Sequence, residues 1–450
     1  MGRAILTAIL TVWALIASIP MGAVQAEDQE ELSVVTSYPP SFFEPFRKAF
    51  EADNPGIRTT IIQRNTASAS RFILEKRGTS ADIFWASSPD SFELLKQKHE
   101  LSKIAARPTG APEKVFGYPV NDPEGYYLGF ALSGYGIVYN ASYLAQNKLP
   151  VPKNWQDLLN PVYSGHIGIT SPSRSGTTHL IIEALLQTYG WEKGWAMLSQ
   201  MGGNLSTVTA RSFGVAAGVA QRRFGIGITI DFLAKAPDFA GGDNIDNIFV
   251  LPPDSVYVPA SIAILSRARN KKAAERFVDF LLSPKGQALL LDPAIGRIPL
   301  AAHLPTAAGA DGETEGLFKS KAFDPRLSAE RYGLINLIFD DYIVRRRATL
   351  ARLWKRLAQL EALDNQPDRA STLARARRLL GTPPLSAREA ETLDRSLKAA
   401  LPRGMARSPR QMQMARDLRN TIEHNLAMVE NLLLTASPPR DDIGLNRYPR

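Results

Sequence analysis

A hydroxyl-rich turn is the part of the chain whose residue types are best suited to holding a small anion. A predicted strand at 166–170 leads into the turn, and a predicted helix follows it, with apolar residues near a period of 3.6 up to Gly190. The first N–H groups of a helix lack intrahelical partners and carry partial positive charge, so donors gathered there can bind an oxyanion. Alternatively, one hydroxyl simply caps the helix. The candidate ligand contacts in this turn are Ser175, Gly176, Thr177 and Thr178.

Further hydroxyl groups follow predicted strands nearer the N-terminus. The predicted strands at 31–37, 57–63 and 81–86 alternate with predicted helices, which indicates a parallel α/β sheet. Ligands bind at the carboxyl ends of the strands in such sheets. Each hydroxyl could instead cap the helix that follows it. The residues at strand ends that we expect to contact a ligand are Ser37, Tyr38, Ser87 and Ser88.

Three residues from the middle of the chain complete the candidate site. Arg211 would bind a phosphate through two parallel hydrogen bonds, unless it is a surface arginine. Asp231 follows a predicted strand at 225–230, where it would accept hydrogen bonds from hydroxyls of the ligand or cap a helix. Tyr257 lies on a long β-rich run, from which it would reach the ligand or pack in the core.

The N-terminus and the composition predict an exported protein of two or three domains. Residues 1–26 combine a basic start, an apolar core and small residues before Glu27, which predicts a cleaved secretory signal; the alternative is an uncleaved anchor. No later stretch is apolar enough to span a bilayer. The chain of 450 residues contains no cysteine, which excludes thiol catalysis, zinc–thiolate sites, disulfides and a lipidated cysteine. We therefore expect a soluble protein of the periplasm.

Six segments along the chain resemble the extracytoplasmic solute-binding proteins of ABC transporters, in the branch that contains ferric-iron binders. In order, they are ADIFWASSPDSFELL, GYGIVYN, SGHIGITSPSRSGT, YGWEKGWAMLSQMGGN, GIGITID and KKAAERFVDFLLSPKGQALL. The resemblance covers residues 31–305. It implies an α/β, two-lobed class II periplasmic binding fold, with crossing strands near 130–139 and 255–265. The expected boundaries are lobe 1 at 27–132, lobe 2 at 133–256, and a return to lobe 1 with closing helices at 257–325.

One departure from the ferric binders argues against iron. Those proteins carry adjacent tyrosines just after the strand that matches 225–230, whereas this chain has Asp231 and Phe232 there. The tandem tyrosines at 126–127 do not align with that motif, and we expect them to pack. The histidines show no paired ligand spacing, so we predict no metal site and no cofactor. These histidines are His99, His166, His179, His303 and His424.

A basic segment follows the region of resemblance. The net charge is +9, and residues 326–450 hold 23 of the 53 basic residues against 14 of the 44 acidic ones. Leucines recur there at helical spacing without any strand signal, which predicts a helical extension at 326–437 and a disordered tail at 438–450. The extension would either dock to a partner or an anionic membrane, or pack on lobe 2 as a set of solvated helices. Nucleic-acid binding is disfavoured by the predicted export signal.

The resemblance also implies a function. The same branch contains binders of phosphorylated or phosphonate-bearing solutes, including a regulator of phosphoglycerate uptake that is exported and has a helical extension. It implies that this chain captures a small anionic, phosphoglycerate-like solute and signals to a membrane sensor kinase that regulates uptake. The alternative is an ordinary receptor that delivers an anion, phosphonate or ferric ligand to an ABC permease. No G-x-S-x-G, Walker-type or H-E-x-x-H motif is present, so no enzymatic activity is predicted.

Overall fold

The structure, a computed structural model, describes residues 29–75, 81–105, 113–115, 118–235, 246–300, 323–363, 367–393, 398 and 408–437. The predicted signal segment 1–26 and the predicted disordered tail 438–450 lie outside these residues. Among the helices described, none combines the length and the hydropathy that crossing a membrane requires.

Most of the described strands belong to one mixed sheet. Their order is β2-β1-β3-β11-β6-β9-β7-β8, with β10 and β12 also paired to β6, while β4 and β5 form a separate pair. The strands are β1 Glu30–Thr36, β2 Ile57–Gln63, β3 Ile83–Ala86, β4 Lys114–Val115, β5 Tyr118–Pro119, β6 Leu128–Asn140, β7 Ile167–Thr170, β8 Leu205–Thr209, β9 Ile226–Ile230, β10 Asn247–Val250, β11 Tyr257–Ile264 and β12 Ile298–Pro299.

Strand β6 runs through both halves of this sheet. From Leu128 to Gly134 it pairs antiparallel with β11, and from Tyr135 to Tyr139 it pairs antiparallel with β9. All its residues are buried, as expected for a central strand covered on both faces. We call the half that contains β1, β2 and β3 lobe 1, and the half that contains β7, β8 and β9 lobe 2. Strands β6 and β11 connect them.

The helices cover the sheet and then continue beyond it. The first of them buries four phenylalanines on the face toward lobe 1, and the fifth begins at the hydroxyl-rich turn. The helices are α1 Pro40–Asp53, α2 Thr66–Leu74, α3 Pro89–Gln97, α4 Ala141–Gln146, α5 Gly176–Tyr189, α6 Trp191–Gly203, α7 Phe213–Ala220, α8 Asp231–Lys235, α9 Lys271–Leu282, α10 Pro284–Leu289, α11 Pro325–Phe339, α12 Arg347–Glu361, α13 Pro367–Gly381, α14 Ala387–Thr392 and α15 Pro409–Thr435.

Helices α11 to α15 form the C-terminal extension, and its described residues contain no strand. The extension packs on α6 of lobe 2. A Cβ built at Gly203 would lie 2.8 Å from Cδ1 of Trp354, and one built at Gly202 would lie 2.9 Å from Cγ2 of Ile343. The indole N–H of Trp191 also donates to the carbonyl of Leu385 at 2.8 Å. The described helices of the extension therefore pack on lobe 2, and docking of the extension to a partner or a membrane stays a prediction.

The first helix of the extension contacts both lobes. Helix α11 lies against α3 of lobe 1 and against α5 of lobe 2. On the α5 side, the Arg331 guanidinium forms an ion pair with Glu183 at 2.7 Å. On the same side, His179 is fully buried between the side chains of Ser328 and Asn336, at 3.1 and 2.9 Å. The extension is thus joined to the lobes by buried polar contacts as well as by apolar packing.

Candidate ligand-binding site

A narrow cleft lies between the lobes, where β1 and β3 of lobe 1 and β7 and β8 of lobe 2 end. Its cavity volume is about 30 Å³, which is room for about one or two water molecules. The lobes must therefore separate to admit a larger ligand. The lining residues are Ser37, Tyr38, Pro39, Asn65, Thr66 and Ser87 from lobe 1, and Arg174, Ser175, Thr177, Arg211, Ser212, Phe213, Phe232 and Leu233 from lobe 2.

The predicted turn lies at this cleft, and Ser175 has both of the roles considered for it. Its Oγ accepts a hydrogen bond from the N–H of Thr178 at 3.2 Å, so it caps α5, and it also lines the cleft. Thr177 lines the cleft beside it, whereas Thr178 is buried. Because α5 begins at Gly176, the positive end of the helix dipole is at the cleft wall.

Gly176 and Ser88 lie where the two lobes meet. A Cβ built at Gly176 would lie 2.5 Å from Ser88 Oγ and 3.1 Å from Cγ2 of Thr66, so only glycine allows this approach. Ser88 Oγ is held in place because it donates to Asp90 Oδ1 at 2.9 Å. These two predicted contacts therefore form the junction between the lobes and are not among the residues that line the cleft.

Two arginines of lobe 2 give the cleft its positive charge. Arg174 follows β7 and Arg211 follows β8, and both are half-buried. The Cζ of Arg211 lies 5.2 Å from the ring centroid of Phe213, and burial lowers the pKa of its guanidinium. In the described part of the chain, neither guanidinium has a carboxylate within ion-pair distance. The sequence prediction included Arg211 but not Arg174, although Arg174 belongs to the same turn.

On lobe 1, a residue of the cleft wall is hydrogen-bonded to the guanidinium of Arg297, a buried cation that the sequence analysis does not predict. The phenol oxygen of Tyr38 lies 2.8 Å from Ser87 Oγ, and that same Oγ accepts a hydrogen bond from Nη2 of Arg297. Burial raises the pKa of Tyr38, although the charge of Arg297 opposes this effect, so Tyr38 remains a neutral phenol. Arginine is ordinarily a surface residue, and Arg297 occurs singly between apolar residues, which was the one available sign of its burial.

The last two predicted contacts, Asp231 and Tyr257, lie at the crossing of the strands and are not among the cleft-lining residues. Asp231 accepts hydrogen bonds from the N–H of Gly134 at 2.8 Å and from the N–H of Phe232 at 2.7 Å. Burial and the charge of Asp231 raise the pKa of Tyr257 to about 12. The residue after Asp231 does reach the cleft, since the ring of Phe232 contributes to its lining.

The described residues offer no metal centre at this cleft. Within them, no group of three or more histidine, aspartate or glutamate side chains is arranged to hold a metal ion. Burial lowers the pKa of His179 to about 3, so this histidine is neutral and serves the packing of α11 on α5. The cleft instead presents hydroxyl groups, guanidinium groups and a helix N-terminus, which are donors suited to an oxyanion.

Known proteins resemble the chain both in sequence and in fold. The profile of a bacterial extracellular solute-binding protein family matches residues 78–310. The phosphoglycerate transport regulatory protein PgtC of Salmonella typhimurium is 31% identical over 377 residues, which cover 82% of this chain and 89% of that protein.

Two solved structures illustrate the likeness in fold. The periplasmic binding protein AfuA of Actinobacillus pleuropneumoniae, with exogenous fructose-6-phosphate bound, has a TM-score of 0.63 and 23% identity, and the match covers 70% of this chain and 99% of AfuA. The apo ferric ion-binding protein A of Pasteurella haemolytica has a TM-score of 0.57 and 19% identity, with 69% of this chain and 97% of that protein covered. The predicted class II periplasmic binding fold is thereby confirmed. The chain belongs to the bacterial extracellular solute-binding protein family, and it binds a solute rather than catalysing a reaction.

Proposed function

We propose that the protein is a periplasmic receptor that captures a small phosphorylated anion, of the phosphoglycerate kind, and signals its presence to a membrane partner that regulates uptake. The observation that carries this proposal is the pair of cleft arginines, Arg174 and Arg211, which have no carboxylate partner among the described residues. A guanidinium in a cleft without an internal counter-ion favours an anionic ligand.

The other groups of the cleft suit the same ligand. Ser175 and Thr177 stand at the N-terminus of α5, where hydroxyls, backbone N–H groups and the helix dipole all favour negative charge. Ser37 and Tyr38 face them from lobe 1. Since both sets of donors reach one small anion only when the lobes are together, binding stabilises the closed form. The closed form is then the signal that a membrane partner recognises.

The similarity to PgtC supports the regulatory part of the proposal. That protein is named as a regulator of phosphoglycerate transport, and its alignment of 377 residues is longer than the lobes alone, residues 27–325. The similarity therefore includes part of the helical extension. We infer that the extension, together with the closed lobes, contacts a membrane sensor kinase.

The second candidate is a receptor that delivers an anion, phosphonate or ferric ligand to an ABC permease. The match of the family profile to residues 78–310, which excludes the extension, favours this reading. The two are separated by adding the liganded protein to each membrane partner in proteoliposomes. A regulator changes the autophosphorylation of the kinase, whereas an importer receptor stimulates the ATPase of the permease.

A thermal-shift screen of residues 27–450 tests the choice of ligand. We expect 2- or 3-phosphoglycerate to raise the melting temperature, because a ligand at a hundredfold over its dissociation constant adds about 2.7 kcal/mol of stability. Sugar phosphates, phosphonates, simple carboxylates and ferric citrate serve as comparisons. If ferric citrate is the only compound that raises the melting temperature, the protein is a ferric-iron binder and the proposal is refuted.

A further inference from the structure

The guanidinium of Arg297 lies directly beneath the lobe 1 wall of the cleft. Its side chain is 0% exposed, and its Cζ lies 4.1 Å from the ring centroid of Phe232 and 5.0 Å from that of Tyr38. Nη2 donates to Ser87 Oγ, whereas Nε and Nη1 have no hydrogen-bond partner. The described residues provide no carboxylate within 4.0 Å of it. The rings of Phe42 and Phe130 also lie against the guanidinium of Arg297.

A buried charge in a folded protein is ordinarily paired with an opposite charge and fully hydrogen-bonded. The guanidinium of Arg297 has neither a carboxylate partner nor a full set of hydrogen bonds among the described residues. Arginine stays protonated, so it cannot relieve the cost of its desolvation by losing a proton. The faces of the aromatic rings attract the guanidinium but do not replace a counter-ion. Asp231 is near enough to act on the same phenol, Tyr135, but its carboxylate accepts hydrogen bonds from the backbone N–H groups of Gly134 and Phe232. An anion in the cleft would supply the missing negative charge.

Two hydrogen bonds link Arg297 to the hydroxyl groups of Ser87 and Tyr38, which line the lobe 1 side of the cleft. Because arginine can only donate, Ser87 Oγ uses one lone pair to accept from Arg297. Ser87 and Tyr38 share a single hydrogen bond at 2.8 Å, which uses the proton of one hydroxyl and leaves that of the other. No acceptor for that remaining proton is present among the described residues. Both side chains line the cleft, so one O–H donor, polarised by a cation, is free for a ligand.

The cleft therefore has a positive group on each side. On lobe 2 the guanidinium groups of Arg174 and Arg211 reach the lining directly, and on lobe 1 Arg297 acts through the Ser87 and Tyr38 hydroxyls. We infer that the cleft selects a solute with two anionic groups, one held by each lobe, and that Arg297 is the positioning residue for the second group. This inference rests on the proposed function and narrows its ligand class. A solute with anionic groups at both ends stabilises lobe closure better than one with a single charged end.

The test compares Arg297→Met with the wild type by calorimetric titration of residues 27–450. The probes are 3-phosphoglycerate, with two anionic groups, and glycerol 3-phosphate, with the phosphate alone. We expect the wild type to prefer 3-phosphoglycerate by about tenfold or more, since charge-assisted hydrogen bonds are the stronger ones. Arg297→Met should reduce this preference to about onefold by weakening only the binding of 3-phosphoglycerate. Arg297→Lys, which keeps the charge, should restore part of it.

Arg331→Met is the matched control, because this arginine is also largely buried but pairs with Glu183 at the contact with the extension. We expect it to lower the melting temperature while the preference for 3-phosphoglycerate stays as in the wild type. If Arg297→Met weakens the binding of both probes by the same factor, its role is structural and the inference is overturned.

A dicarboxylate arm separates the inference from the proposed function. If the wild type binds succinate rather than either phosphate, and Arg297→Met abolishes its preference for succinate over butyrate, the phosphate proposal fails while the two-anion inference stands. If the wild type binds singly charged and doubly charged probes equally well, the inference fails even when the phosphate proposal holds.

Discussion

At the scale of one residue, the surroundings of Arg211 suit the anion-binding role that we propose for it. Its Cζ lies 5.2 Å from the centroid of the Phe213 ring, and both residues line the cleft. Packing on the ring restricts the flexible side chain, so less entropy is lost when the guanidinium forms hydrogen bonds to a ligand. The partial burial that lowers its pKa also strengthens its attraction for an anion, because fewer water molecules compete.

We predict that Arg211→Met weakens the binding of 3-phosphoglycerate by about 10- to 100-fold, because a hydrogen bond to a charged group is worth about 1.5–3 kcal/mol. The dependence of affinity on salt should also become weaker, since one charge is lost. Isothermal titration at two salt concentrations measures both effects. Arg352→Met, which removes an exposed arginine paired with Glu430 on the extension, is the control and should leave the affinity unchanged. Equal effects of the two substitutions would argue against an anion site at Arg211.

The sequence predicts some of the residues at the cleft but not others. The hydroxyls of Ser37, Ser87 and Ser175 were predicted, because the alternation of strands and helices puts residues after strand ends at a common edge. Arg297 was not predicted, since its burial depends on aromatic rings from distant parts of the chain. Asp231 follows a strand as expected, but its partners are backbone N–H groups that no residue pattern identifies.

At the scale of elements, the start of α5 meets the start of α3 where the lobes touch. Gly176 is the first residue of α5, and Ser88 directly precedes α3. The close approach needs both a residue without a side chain and a serine held in place by Asp90. Closure of the cleft therefore depends on a contact that is separate from the groups we expect to bind the ligand.

We predict that Gly176→Ala weakens ligand binding by hindering closure, because the new methyl group would lie 2.5 Å from Ser88 Oγ. Each lobe should remain folded, since the added atom points toward the other lobe. Small-angle scattering should give a larger radius of gyration for the variant than for the wild type at saturating 3-phosphoglycerate. The double variant Gly176→Ala, Ser88→Gly should recover closure. No recovery would mean that the substitution acts within α5 and not between the lobes.

A buried carboxyl group lies at the contact between α3 and the extension. Burial raises the pKa of Asp90 to about 7, and the charge of Glu183 acts in the same direction. Its Oδ2 has no hydrogen-bond partner in the described residues, while its charge raises the pKa of Tyr332 on α11. Because the folded protein holds this proton more tightly than the unfolded chain, the contribution of Asp90 to stability is greatest below pH 3.8 and is lost as the pH rises through about 7.

We predict that Asp90→Asn removes this pH dependence. Relative to the wild type, the variant should become more stable as the pH rises from 4 to 8, because the amide cannot ionise in its buried position. Urea denaturation at a series of pH values measures the difference. Comparing the two proteins cancels the opposite effect of His179, whose pKa is lowered by burial. A difference in stability that stays constant across this range would contradict a raised pKa at Asp90.

For the molecule as a whole, the order of motifs allowed the general architecture to be predicted, but not every packing partner. The long apolar runs near 130–139 and 255–265 were expected to cross between lobes, and β6 and β11 occupy those positions. The amphipathic helices of 326–437 could be recognised from the spacing of their leucines. Which surface they cover could not, since an apolar stripe shows that a helix is buried but not against what. The contact of Trp354 with Gly203 shows that α12 packs on α6 of lobe 2.

The most direct test of the account is the distance between the lobes with and without a phosphorylated solute. The chain has no cysteine, so spin labels can be attached to Arg64→Cys on lobe 1 and Ala210→Cys on lobe 2, two exposed residues beside cleft-lining positions. Pulsed electron resonance then gives the distribution of distances. We predict a broad distribution for the protein alone and a single shorter distance with 3-phosphoglycerate. A distribution that saturating 3-phosphoglycerate leaves unchanged would contradict capture of this solute between the lobes.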